Sequence, residues 1–312
     1  MVVAVDLGGT LTKIAYAERS GVLTHLARVP THLSEGADGV VDWLADQVTT
    51  FASAPAIGRC LGFGVAVPGV IDAHAGVVRS APNVGWVDVA LGERLTSRTG
   101  LTGSVVHDVR AGGLAEWRLG GGRDCANFLF LPLGTGIAGA MIVDGHMLEA
   151  DGYAGELGHL VVAAGAGVPC PCGLVGCLET VASAAGVTRS YLRLSSRSDT
   201  VDAQRVAELA LAGDPYALAA FDLLIAGLTE AMVIYATLLA PQRIVIGGGL
   251  AAAADLFLPQ VQTAVRQGLT FHRVPEFTTA TLGADAGVIG AGLLGWARVV
   301  SELASVDETQ VG

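Results

Sequence analysis

Two stretches of the sequence follow one local plan. Val2 to Leu23 runs as an apolar strand, Asp6-Leu7-Gly8-Gly9-Thr10, a second strand from Leu11 to Ala17, and a turn at Ser20-Gly21. Phe128 to Leu148 runs as an apolar strand, Pro132-Leu133-Gly134-Thr135-Gly136, a strand from Ala138 to Val143, and a hairpin turn at Asp144-Gly145. Glycines directly after a buried strand let backbone N–H groups approach an anion, because no Cβ stands in the way. Used twice, the plan predicts two α/β halves, each offering a glycine hairpin to a chain of phosphates. A third loop, Gly247-Gly248-Gly249, follows the strand Arg243 to Ile246. Gly134 to Gly139 also spells G-x-G-x-x-G, but a dinucleotide turn must open a helix, and Ala140 to Gly145 reads as a strand entering a hairpin. No G-x-x-x-x-G-K-[ST] occurs, so a P-loop is excluded as well.

At 312 residues and 52% hydrophobic composition, the chain can bury two medium cores and is not a disordered segment. Gly39 to Phe51 carries apolar residues at helical spacing, Cys60 to Val67 is a buried strand closed by Pro68-Gly69, and Leu114 to Leu119 is weakly helical. Ala217 to Leu239 reads as a long buried helix stopped by Pro241, a further helix is expected from Ala251, and Gly283 to Val300 is a small-residue helix. A net charge of -11 with no block of like charges argues against nucleic acid and anionic membrane surfaces. The apolar stretch Ala231 to Ala240 is shorter than a membrane span. The start reaches Asp6 without a basic segment, so a signal peptide is not expected and the cytoplasm is the expected compartment.

In a reducing compartment the five cysteines read as buried, catalytic or metal-binding thiols. Cys170, Cys172 and Cys177 lie within eight residues, and His159 precedes them by eleven. Three thiolates and an imidazole meet the count for a closed, structural zinc site, while a redox pair or buried thiols remain open readings. Cys60 and Cys125 stand alone. Glu156 and Glu179 flank the cluster, and carboxylates accept hydrogen bonds from sugar hydroxyls. Asp6, at a strand end before a glycine loop, is suited to hold Mg²⁺ against phosphate oxygens, with Thr10 adding a hydroxyl and Lys13 a cation or a merely solvated strand residue.

The motifs Asp6-Leu7-Gly8-Gly9-Thr10-x-x-Lys13, Val67-Pro68-Gly69, Leu133-Gly134-Thr135-Gly136-Ile137, Ala154-Gly155-Glu156-Leu157-Gly158-His159 and Cys170-x-Cys172-Gly173-x-x-Gly176-Cys177-x-Glu179 follow one another as in the ROK family of repressors, open reading frames and sugar kinases. The resemblance runs from Val3 to about Trp296. It implies an actin-like, hexokinase-type (ribonuclease H-like) α/β fold with two domains and a cleft, 1–110 plus 291–312 forming the smaller and 111–290 the larger. It also implies an ATP-dependent kinase acting on the primary hydroxyl of a hexose. By position, Asp108 resembles the catalytic base. Gly69, Asn83, His107, Asp108, Glu156, His159 and Glu179 would line the sugar site. Asp6, Gly8, Gly9, Thr10, Lys13, Gly134 to Gly136 and Gly247 to Gly249 would hold the nucleotide with Mg²⁺, and His159, Cys170, Cys172 and Cys177 would ligate zinc. Family habit implies a homodimer or homotetramer, and with the first phosphate motif at residue 6 no DNA-binding segment is expected.

Two positions depart from the family pattern. His107 stands where Asn usually precedes the base, and Ala138 replaces a glycine of the second phosphate loop. Imidazole is bulkier than an amide and titrates near neutrality. The alternative reading is therefore a kinase for a modified sugar, an amino sugar such as kanosamine or a C7-cyclitol pseudosugar. A sugar-sensing protein without catalysis is disfavoured by the presence of Asp108.

Overall fold

In the computed structural model, residues 1–33, 36–54, 59–197 and 200–310 are described. They form two compact units, one of Met1–Ala115, Glu149–Ala154 and Ala284–Gly312, the other of Glu116–Leu148 and Gly155–Gly283. The sequence reading placed the crossings at 110/111 and 290/291 and gave 149–154 to the larger domain. The short segment groups with the first unit because the Arg110 guanidinium donates to the carbonyl oxygens of both Ile71 (3.1 Å) and Glu149 (3.4 Å).

The first unit is built on β1 (Val2–Leu7), β2 (Leu11–Ala17), β3 (Leu23–Pro30), β4 (Gly62–Val67) and β8 (Thr102–His107), in spatial order β3-β2-β1-β4-β8. A smaller sheet of β5 (Val70–Asp72), β6 (Val77–Ala81) and β7 (Trp86–Val89) follows β4. On one face α1 (Gly36–Ala52) buries Val40, Val41, Leu44, Ala45 and Val48, the helical stripe its sequence spells, in a cluster with Val3, Val5, Phe63 and Val65. On the other face lies α9 (Ala286–Gln310), whose approach is set by glycine. A Cβ on Gly64 would come within 1.9 Å of the Ala291 carbonyl oxygen, so the helix rests on strand backbone.

The second unit repeats this topology. β9 (Phe128–Pro132), β10 (Ala140–Val143), β11 (His146–Met147), β12 (Arg243–Gly247) and β13 (Glu276–Thr279) take the order β11-β10-β9-β12-β13. In both sheets the first three strands in sequence are antiparallel neighbours and the last two run parallel to the first. The Asp144-Gly145 hairpin has both residues at positive φ, 49° and 77°, as a two-residue primed turn requires. Expected helix from Ala251 is instead a 3₁₀ stretch over Gly249–Leu256, after which α8 (Leu258–Gly268) begins with Pro259 in its first turn. Four helices surround the long α7 (Pro215–Leu239): α4 (Glu179–Ala182), α5 (Ala184–Ser195), α6 (Ala203–Leu211) and α8. By length and composition α7 and the stretch Gly283–Ser305 are long and apolar enough to cross a membrane. Here α7 is the core helix of its unit, and α9 covers β1, β4 and β8.

The remaining α2 (Leu91–Thr99) packs beside α1, and α3 (Asp108–Leu119) leaves the end of β8 and carries the chain from one unit to the other. Its Glu116 is fully buried. One carboxylate oxygen accepts the Gly121 N–H (2.8 Å) and the Thr281 hydroxyl (3.3 Å), the other the Leu282 N–H (2.7 Å). The carboxylate thus ties the end of α3 to the segment 281–282 that precedes α9. Glu116→Ala strands two of these N–H groups and should cost about 2–4 kcal/mol, read as a fall of about 5–10 °C in melting temperature. An unchanged melting temperature would refute the role.

Candidate active site

In the first unit β1, β4 and β8 run parallel and in register, Asp6 beside Ala66 and Val67 beside His107. Their carboxyl ends therefore deliver three loops to one sheet edge, the place where open α/β sheets bind ligands. Asp6 sits opposite Lys13 in the β1–β2 hairpin, with Nζ 3.4 Å from Oδ2. Lys13 is not a solvated strand residue: it also approaches Asp285 (3.9 Å) and donates to the Ala284 carbonyl. Burial pushes the Asp6 carboxyl above its usual range, and Lys13 opposes that rise. Thr31 holds the turn by its carbonyls, donating from its hydroxyl to Gly8 (2.7 Å) and from its N–H to Thr10 (3.0 Å). Gly9 and Thr10 stay exposed.

At the end of β4, Gly69 has φ of 108°, and a Cβ there would lie 2.2 Å from the Ser80 carbonyl oxygen. The loop is thereby pressed on the end of β6, next to the exposed turn that carries Asn83. At the end of β8, Asp108 opens α3. Its Oδ1 accepts the Val109 N–H (2.7 Å) and lies 3.3 Å from His107 Nε2. Burial pushes the Asp108 carboxyl up to about 6, against the lowering effect of backbone N–H groups and Arg110. About a third of the side chain, 35%, is still open. A carboxylate that is poorly solvated yet reachable is a strengthened base.

In the second unit the glycine loops lie side by side. Leu133 N–H donates to Gly247 (2.9 Å) and Leu250 N–H to Leu133 (3.2 Å). Gly248, at φ 75°, has no room for a Cβ, which would sit 2.5 Å from the Leu133 carbonyl. Thr135 lines a cavity of about 460 Å³ with Ala184, Thr188 and Arg189, and Gly249 and Leu250 line a larger one of about 680 Å³ with Ala203, Ala207 and Leu211. Gly134, Gly136 and Gly247 complete these loops. A polar hollow of about 580 Å³ at Arg123, Arg243 and Glu276 opens at the other, amino end of β12 and β13, away from the glycines.

The cysteine cluster belongs to the same unit. A tight turn closes Cys170 to Gly173 (3.0 Å), and Leu178 N–H bonds back to Leu160 (2.7 Å), which folds the loop onto His159. The turn bearing His159 is held from α7, where the Tyr235 hydroxyl donates to the Leu157 carbonyl (2.6 Å). His159 Nδ1 lies 3.7 Å from Cys170 Sγ, Cys172 Sγ lies 3.7 Å from Cys177 Sγ, and all four ligand atoms fall within 4.8 Å of one another. Zn–S of about 2.3 Å and Zn–N of about 2.0–2.1 Å give tetrahedron edges of about 3.6–3.8 Å, so the donor set fits the ion. Burial pushes the Cys177 thiol up to about 12. His159 Nε2 points to Glu156 (3.9 Å), while the Glu179 carboxylate, two residues past Cys177, accepts the Ile137 N–H (2.8 Å). The metal-type knot and the second glycine loop are joined through Glu179.

The structure thus gathers Asp6, Gly8, Gly9, Thr10, Lys13, Gly69, Asn83, His107 and Asp108 in the first unit, and Gly134 to Gly136, Glu156, His159, the three cysteines, Glu179 and Gly247 to Gly249 in the second. Sequence reasoning gave no role to Arg110, whose signal was a cation two residues after Asp108, nor to Glu116, a lone acid on a weakly helical stretch.

The ROK family model matches residues 2–297. A glucokinase of Halalkalibacterium halodurans is 35% identical, with 94% of each chain covered. Among solved structures, the ROK hexokinase of Thermus thermophilus superposes with a TM-score of 0.84 at 31% identity, covering 96% of this chain and 99% of that one. A ROK family glucokinase of Streptomyces griseus in complex with glucose and AMPPNP does so at 0.80 and 26%, covering 95% and 99%. The fold is that of these two-domain, hexokinase-type kinases.

Because the folded-state value of Asp108, about 6, exceeds the unfolded one, the unfolded chain loses its proton first, and stability drains as pH rises between about 4 and 6. Asp108→Asn carries no such charge. It should melt higher than the wild type at pH 8, with the gain fading below about pH 4. A gain independent of pH would contradict the burial of this carboxylate.

Proposed function

Since the chain belongs to the ROK family, we propose that it is an ATP-dependent sugar kinase that phosphorylates the primary hydroxyl of a hexose, with Asp108 as general base. The observation that carries the reading is Asp108 itself, a carboxylate about one-third open, with its pKa raised to about 6 by burial, at the end of a parallel strand. Asp108 accepts the hydroxyl proton as the sugar oxygen bonds to the γ-phosphorus, and the bond from that phosphorus to the ADP oxygen breaks. Gly69, Asn83, Glu156, His159 and Glu179 hold the sugar hydroxyls. The loops at Gly8 to Thr10, Gly134 to Gly136 and Gly247 to Gly249 receive the phosphates with backbone N–H groups, and Lys13 adds a positive charge. Mg²⁺ would neutralise phosphate charge, and Asp6, one carboxylate at a strand end, suits an ion that keeps most of its ligands as water and phosphate.

His159, Cys170, Cys172 and Cys177 would hold a structural zinc, a closed shell with no position for water. Its part is to fix the backbone on which Glu156 and Glu179 ride. A second reading, a kinase for an amino sugar or cyclitol, is favoured by His107, which is 9% exposed and offers an imidazole beside the base.

ADP release with ATP and a panel of glucose, mannose, amino sugars and cyclitols tests the proposal. Turnover with glucose or mannose supports the first reading, turnover confined to modified sugars supports the second, and none with any sugar refutes both. Asp108→Asn should lower kcat by about 10²- to 10⁴-fold while sugar still binds, and the wild-type rate should rise with pH through about 6 as the carboxyl ionises. The purified protein should carry about one zinc per chain, and Cys172→Ser should lose it and lower the melting temperature.

A further inference from the structure

After β11 the chain makes a six-residue excursion, Glu149–Ala154, that groups with the first unit while the residues on either side belong to the second. Its backbone is strained. Ala150, Asp151 and Gly152 follow one another at φ 46°, 53° and 93°, a left-handed region that side chains disfavour, so such a run persists only where surrounding contacts enforce it. Two carbonyls supply those contacts. That of Glu149 closes the turn, accepting the Gly152 N–H (3.0 Å) and the Ala154 N–H (3.2 Å). That of Ile71, on β5, presses on Gly152, where a Cβ would lie 2.2 Å from its oxygen. Arg110 donates to both, from Nη1 to Glu149 (3.4 Å) and from Nη2 to Ile71 (3.1 Å), and is itself only 5% exposed.

We propose that Arg110 is a positioning residue whose fork fastens the helix carrying Asp108 to β5 and to the 149–154 turn, holding in one arrangement the three chain segments that lead to Asp108, Gly69 and Glu156. The inference rests on the kinase reading above. Each fastened segment lies two positions from its site residue: Asp108 stands two before Arg110, Gly69 two before Ile71, and Glu156 two after Ala154. A guanidinium suits the task because its planar donors meet two acceptors in a fixed geometry, whereas an ammonium on a flexible stem does not fix their separation. A misplacement of about 1 Å at the reacting atoms costs up to about 100-fold in rate. The charge contributes separately, since Arg110 favours the ionised form of Asp108 against the effect of burial. The other titratable groups around Asp108 are His107 on β8 and Asp6 on β1, with its partners Lys13 on β2 and Asp285 ahead of α9. The β4 loop, Val67-Pro68-Gly69, contributes none.

Arg110→Lys keeps the charge without the fork, and Arg110→Met keeps neither. Both variants should raise the sugar KM about 10-fold and lower kcat about 10- to 100-fold, with the KM for ATP within about twofold of wild type. The acid limb of the pH profile should move upward in the Met variant alone. Hydrogen exchange needs no turnover: the Gly152 and Ala154 amides should exchange about 10-fold faster in both variants, with the β1 and β4 amides unchanged. A Lys variant with wild-type sugar KM and kcat overturns the proposal, since charge alone would then suffice. So does a KM rise shared equally by sugar and ATP, which would report a general loosening. Unmoved exchange at Gly152 and Ala154 overturns the clasp whatever the activity, and the Lys variant decides the matter if the Met variant does not fold. Faster exchange there in a protein that phosphorylates no sugar overturns the kinase reading alone.

Discussion

Three parallel strands ending side by side impose the constraint on which the first unit depends. Strand register sets Asp6, Gly69 and His107-Asp108 at one edge, and no side-chain contact is needed to bring them there. At such an edge the chain must turn out of the sheet. Backbone N–H groups lose their ladder partners, and polar side chains gather where they are neither fully solvated nor fully buried. The raised Asp108 follows from that position, since a carboxylate at the end of a buried strand gives up water before it gains a full set of donors.

The second unit solves a different problem with the same topology. Its loops are held by their own backbone, through Leu133, Gly247 and Leu250, and the long cysteine-bearing excursion is held by covalent spacing and by α7. Three thiols close together are poor partners without a cation, and the rise of Cys177 toward about 12 expresses the cost of ionising one there. His159 Nδ1 and Cys170 Sγ lie 3.7 Å apart, as do Cys172 Sγ and Cys177 Sγ, the spacing a divalent ion would need. Glu179, accepting the Ile137 N–H, ties this turn to the second glycine loop.

Much of this was legible in the sequence, for identifiable reasons. Glycine hairpins, strand ends and the His159 and cysteine cluster are local patterns, and local patterns survive without tertiary knowledge. The duplicated plan at Val2 and Phe128 carried over into two sheets of one strand order. The weak helix read over Leu114 to Leu119 in fact begins at Asp108, with Gly112 and Gly113 diluting the helical signal ahead of it. The helix expected from Ala251 failed for a related cause: an alanine run has propensity, yet Pro259 and the tight geometry after Gly248 restart the helix later. Glu116 was invisible because its partners, Gly121 aside, lie more than 160 residues away, a hydroxyl at Thr281 and a backbone N–H at Leu282, and sequence patterns do not mark such distant pairings.

Comparing the strand ends of the two copies shows how one topology divides chemical labour. Where β1 ends at Asp6 and Leu7, β9 ends at Pro132; where β8 leads into His107-Asp108, β13 ends at Thr279, followed by Ala280. One copy ends its strands beside ionisable side chains, and the other ends them at Pro132, Gly247 and Thr279. Duplication lets each copy keep the same backbone solution while the side chains at its strand ends diverge.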